Sequence, residues 1–154
     1  MKKLASILRL DFVPASTDVA LLVLRLWLGL SLLVLHGWGK LTTFQQMADK
    51  FPDPLNVGHR TSLILALTGE VLCSILVVLG LFTRFAALGS AITMAVAFFL
   101  VHKASLKAGA GSGELAYVYL CGFVVLFIAG AGQFSLDGGG GKGSPSRKPK
   151  PSKE

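Results

Sequence analysis

The chain has 154 residues, 53% of them hydrophobic, with a mean hydropathy of +0.66 and a formal charge of +7. That length fits one domain, and so apolar a composition argues against an ordinary soluble protein and for an integral membrane protein. No basic surface interleaved with aromatic residues is present to stack bases, so nucleic acid is excluded as a partner.

Residues 1–17 read as a cytoplasmic lead. "MKKLASILRLDFVPAS" starts basic, but Arg9 and Asp11 interrupt any apolar signal core, and no cleaved signal peptide is expected. Leu4, Ile7 and Leu8 give the lead one apolar side, as in an interfacial helix. Four apolar runs then approach the roughly 20 residues that a helix needs to cross a hydrocarbon core: Val19–Gly37, Ser62–Leu81, Phe85–Val101 and Leu115–Ala131. None alternates as barrel strands do, and lipid offers open backbone no partner. The expected fold is all-α, an integral membrane antiparallel four-helix bundle over residues 18–137. Asp18 is placed to cap its first helix.

The longest connection is "GKLTTFQQMADKFPDPLNVGHRT". Thr43 and Gln46 have capping-box spacing, and Phe44, Met47, Ala48 and Phe51 share one face, which predicts a short amphipathic helix at the outer interface. "FPDP" stops it. In "GLFTR", Gly80 suits a helix C-terminus and Thr83 a cap, so helices two and three are antiparallel neighbours. "KASLKAGAGSGE" is a glycine-rich link to helix four. Residues 138–154 carry too little apolar surface to fold and read as a disordered basic tail. Lys2, Lys3, Arg9, Arg84 and the tail cations stand against Lys40, Lys50, Arg60, Lys103 and Lys107, a bias that puts both termini in the cytoplasm. The tail then faces anionic lipid.

Polar residues inside the spans carry the functional question. Counted from opposite faces, Arg25 in helix one and Glu70 in helix two differ in height by about 6 Å, within reach of an arginine. Each alone costs about 2.5–3.5 kcal/mol at such depth, so an Arg25–Glu70 pair is the expected remedy. Arg25, Gly29, His36 and Lys40 share one face of helix one, broken by Leu32. Ala66, Glu70 and Ser74 form a similar stripe on helix two, and Ala86, Gly89, Ser90, Thr93 and Ala97 another on helix three. Stripes of small and polar residues face other helices. Near the outer face gather His36, Lys40, His102 and Glu114, either as interfacial residues in headgroup water or as the mouth of a pocket for a small ligand or quinone head. His36 and His102 lie at unequal depths with no further ligand pair, which disfavours haem. Cys73 and Cys121 form no CxxC and read as buried thiols. No triad, nucleotide loop or zinc spacing occurs, so no catalytic residue or metal ligand is assigned.

Taken in order, Arg25, "GWGKL" (Gly37 to Leu41), "GE" (Gly69, Glu70), "GLFTR", "VH" (Val101, His102), Glu114 and "GAGQFSLD" (Gly130 to Asp137) resemble the DoxX family of small bacterial membrane proteins. Cys73 and Ser74 depart from the glycines that often follow the helix-two glutamate. The resemblance implies a multi-pass protein of the bacterial cytoplasmic (inner) membrane. It also implies membrane redox biology, since related proteins include subunits of a thiosulfate:quinone oxidoreductase. The expected role is an accessory subunit of a quinone- or sulfur-linked complex, with Arg25 and Glu70 organising the bundle and His36, Lys40, His102 and Glu114 lining its mouth. Expected partners are the lipid bilayer and other redox subunits, with oligomerisation open. Two other classes fit the same features: a small proton-coupled transporter using Glu70, and a ligand-free scaffold.

Overall fold

The computed structural model describes residues 10, 16–107, 109 and 111–139. Most of the expected lead and most of the expected tail lie outside them. Among the described residues there is no strand. The helices are α1 (Thr17–Thr42), α2 (Phe44–Met47), α3 (His59–Leu79), α4 (Thr83–Val101) and α5 (Glu114–Ala129). α1, α3 and α4, with 26, 21 and 19 residues, are long and apolar enough to cross a bilayer. α5 has 16 residues, a rise of about 24 Å.

α1 packs against α3 and α5, and α4 against α3 and α5. Their shared core holds Leu28, Leu32, Val77, Phe123 and Leu126. Outward, Trp27, Leu35 and Phe85 stay 77, 71 and 74% exposed, a surface suited to hydrocarbon rather than water. Close approach of α1 to α3 depends on missing side chains. A Cβ on Gly29 would stand 3.0 Å from Ser74 O, and one on Gly37 would stand 2.9 Å from Glu70 O. Small residues at such a contact let two backbones meet. Ser90 Oγ on α4 likewise donates to Gly69 O on α3 at 2.8 Å.

The short helix docks on its neighbour instead of lying alone at an interface. Phe44, Met47 and Phe51 pack with Ala48 against Leu63 and Leu67 of α3. The face read from sequence is therefore the buried one. Its capping box is not formed: Thr43 Oγ1 donates back to Gly39 O at 2.8 Å and offers α2 no cap.

Two further caps come from unexpected residues. Ser16, not Asp18, caps α1 by accepting from Val19 N, while Asp18 Oδ1 accepts from Gln133 N at 2.8 Å. Gly80 ends α3 as expected, at φ +69°, with Leu81 N returning to Leu76 O. That left-handed turn is one glycine adopts at no steric cost. At the start of α4, Thr83 is capped rather than capping. Asp137 accepts from Phe82 N and Thr83 N at 2.8 Å each and from Thr83 Oγ1 at 2.9 Å. Residues 130–139 thus fold back across the end where α1 begins, hereafter the basal end, with Asp137 N also donating to Gly80 O.

Burial alone would raise the Asp137 carboxyl. The N–H groups of Thr83 and Phe82, the Thr83 hydroxyl and the Arg25 charge outweigh it and hold the group below the usual carboxylate range. A carboxyl depressed by folding supplies stability that is present above its unfolded value of about 4 and is lost as pH falls through the folded value. Asp137→Asn is therefore expected to flatten the acid limb of a stability–pH curve followed by thermal unfolding in detergent. Asp137→Ala removes the cap and costs about 1 kcal/mol near neutral pH.

Candidate functional site

Glu70 is 5% exposed, and its partner is not Arg25. Lys40 Nζ lies 2.5 Å from both carboxylate oxygens. The cause is first the register: Gly37 lies against Glu70 O, which puts Lys40 one turn from Glu70 and Arg25 more than three. The second cause is the direction in which helical side chains lean. Every Cα–Cβ bond tilts toward its helix N-terminus. Lys40 stands near the end of α1 and leans back into the protein, whereas Glu70, on antiparallel α3, leans toward that same distal end. They converge. Arg25 leans the opposite way, toward the basal end.

There Arg25, wholly buried, donates Nη1 to Val77 O at 3.3 Å and Nη2 to Phe134 O, and its charge faces Asp137. The guanidinium thus ties α1 to the end of α3 and to the returning C-terminal segment. Gly80 makes room, since a Cβ there would strike Arg25 Nη1. Arg25 belongs to the fold's basal latch, away from Glu70.

Three long helices each contain one π-helical turn: Leu33–Gly37 in α1, Thr68–Leu72 in α3 and Ala97–Val101 in α4. His36 and Glu70 lie within two of them and His102 closes the third. The N–H of Cys73, which an α-helix would send to Gly69 O, reaches Thr68 O instead. Gly69 O accepts the Ser90 hydroxyl from α4. Such turns are rare and concentrate at functional sites. Each also rotates the remainder of its helix by about 100°, the step of one inserted residue. No periodicity in the sequence announces them.

Beside the Lys40–Glu70 pair lies a cavity of about 440 Å³ between α3 and α4, within the range of small-molecule sites. Lys40, Glu70 and His102 line it, whereas Arg25, His36 and Glu114 do not. His36 turns instead to α5, edge-on to Tyr119 with ring centroids 5.7 Å apart. Glu114 is exposed in the first turn of α5. His102 Nδ1 donates to Gly111 O at 3.0 Å, pinning the α4–α5 connection. Buried Cys73 borders the cavity, while Cys121 is exposed, which corrects the expectation of two buried thiols. No three His, Cys, Asp or Glu side chains gather to hold a metal among the described residues.

Sequence reasoning missed the cavity's cover, made by Phe51, Pro52, Pro54 and Leu55. Asp53 fixes it, accepting from Val57 N, Gly58 N and Ser62 Oγ at 3.0, 2.8 and 2.7 Å. The Ser62 hydroxyl foremost, against some burial, holds the Asp53 carboxyl below its ordinary range, helped by Gly58 N, Val57 N and the nearby His59. An aspartate between prolines just before a helix was the available signal.

A family model described as DoxX matches residues 20–103. Two uncharacterized proteins of Haemophilus influenzae are similar over most of their length. One is 31% identical over 125 residues, covering 79% of this chain and 83% of the relative. The other is 35% identical over 113 residues, covering 68% and 78%. No solved structure matches significantly.

Proposed function

The chain belongs to the DoxX family of membrane proteins, and from that premise we propose that it holds the polar head of a quinone beside Lys40 and Glu70, as an accessory, non-catalytic subunit of a redox complex. In this proposal α1, α3, α4 and α5 form a four-helix bundle across the bacterial inner membrane, residues 18–137 are the domain, and both termini are cytoplasmic. The observation that carries it is a part-buried ion pair, with Glu70 its buried member, opening into a mostly apolar cavity. Lys40 Nζ has three N–H donors, of which Glu70 occupies at most two. A quinone carbonyl accepts the remainder, and a reduced hydroxyl donates to the carboxylate. Apolar walls from α3 and α4 suit the ring.

The transporter alternative needs a path past Glu70 to the basal end. Leu32, Val77, Phe123 and Leu126 are fully buried there, and the Arg25 latch lies beneath them. That packing favours a dead-ended site.

Equilibrium dialysis of a tail-less benzoquinone against detergent-purified protein tests the proposal. Saturable binding is expected in the wild type, weakened about tenfold or more by Glu70→Gln or Lys40→Met, a change of about 1.4 kcal/mol. His102→Ala is expected to weaken it less, because its Nδ1 is committed to Gly111 O. Equal binding by wild type and both pair variants removes the site.

A further inference from the structure

Building on that reading of the Lys40–Glu70 site, we infer that its ligand is an uncharged, lipid-borne molecule that enters sideways from the bilayer between α3 and α4, leaving its hydrocarbon tail in that gap. Leu65 on α3 and Ile92 on α4 both line the cavity, yet they are 48 and 55% exposed. A residue that borders a cavity and also faces outward marks where the cavity opens. From His59 to Leu65 the helix rises about 9 Å, and from Ile92 to Val101 about 14 Å. α3 as a whole rises about 31 Å, the thickness of a hydrocarbon core, so the opening meets acyl chains rather than water.

The distal side is partly roofed. Phe51 lies over the cavity and Asp53 anchors its segment to the start of α3, while Leu55, which also lines the cavity, is 46% exposed. The gap at Leu65 and Ile92, apolar at its rim, is therefore the route a lipid-dissolved molecule takes to the ion pair. The pair selects the head as well. Lys40 and Glu70 together are neutral, and they leave a donor and acceptor lone pairs available, which suits an uncharged group able to accept and to donate. An ionised head would bring unmatched charge to a depth where each charge costs about 2.5–3.5 kcal/mol. The volume of about 440 Å³ takes a ring-sized head, and the tail continues outward past Leu65 and Ile92.

The test uses the full-length protein in phosphatidylcholine nanodiscs with two probes, a tail-less benzoquinone and its decyl-substituted homologue, the latter titrated as a mole fraction of lipid. Ile92→Trp narrows the opening, and Val125→Trp, on the outward side of α5 at 50% exposure, is the control. Ile92→Trp is expected to weaken binding of the decyl compound about tenfold while leaving the tail-less compound and the control unchanged. Undiminished decyl binding by Ile92→Trp, or equal loss of both compounds, overturns lateral entry while leaving the head site standing. Binding of neither compound by the wild type overturns the head site and this inference with it.

Discussion

Arg25→Ala is expected to cost about 3–5 kcal/mol of stability, the sum of a side-chain-sized void and two backbone acceptors stripped of their donor in a buried setting. Those acceptors are Val77 O and Phe134 O, so the loss falls on the seam between α1, α3 and the returning segment. Arg25→Lys should restore little, because a single ammonium cannot reproduce the fork that serves both carbonyls. Denaturant titration in mixed micelles reads the effect. The same experiment separates the two proposed partners of Glu70. A double-mutant cycle of Lys40→Met with Glu70→Gln is expected to show coupling of about 1–3 kcal/mol, whereas Arg25→Ala with Glu70→Gln should add within about 0.5 kcal/mol. A large Arg25–Glu70 coupling would contradict the observed pairing.

Much of this architecture was legible in the chain. Run length found α1, α3, α4 and α5, and Gly80 marked the end of α3 because few other residues adopt its backbone conformation. The stripe through Gly89, Ser90 and Thr93 indicated a helix contact, and it lies against α3 through Ser90 and Gly69. The pairing of charges was not legible from height alone. Counting from opposite faces puts Arg25 and Glu70 within about 6 Å, but in the structure Glu70 O lies against Gly37, twelve residues and about 18 Å along α1 from Arg25. Lys40 stands one turn beyond Gly37 and leans back toward Glu70. The π turns were also hidden, since they arise from how three helices settle against one another rather than from any local residue preference. Asp137 was visible only as part of a motif. Its role as a cap for α4 depends on the chain returning across the basal end, a contact 54 residues apart in sequence.

Gly69→Ala is the second large effect expected. A Cβ at Gly69 would fall on the Thr93 side chain, with Thr93 Cβ itself only 2.6 Å away. Rotating Thr93 cannot relieve a contact with its own Cβ, so α3 and α4 must separate. Separation stretches the Ser90–Gly69 hydrogen bond, which helps anchor the π turn that carries Glu70. Overpacking of this kind costs about 1–3 kcal/mol and sometimes more. Because Gly69, Thr93 and Glu70 all border the cavity, benzoquinone binding is expected to fall with stability. Adding Thr93→Gly removes the obstructing atoms and should recover both. Recovery of stability without recovery of binding would mean that Thr93 contacts the ligand directly. Failure to recover either would place the strain of Gly69→Ala elsewhere than at the α3–α4 contact.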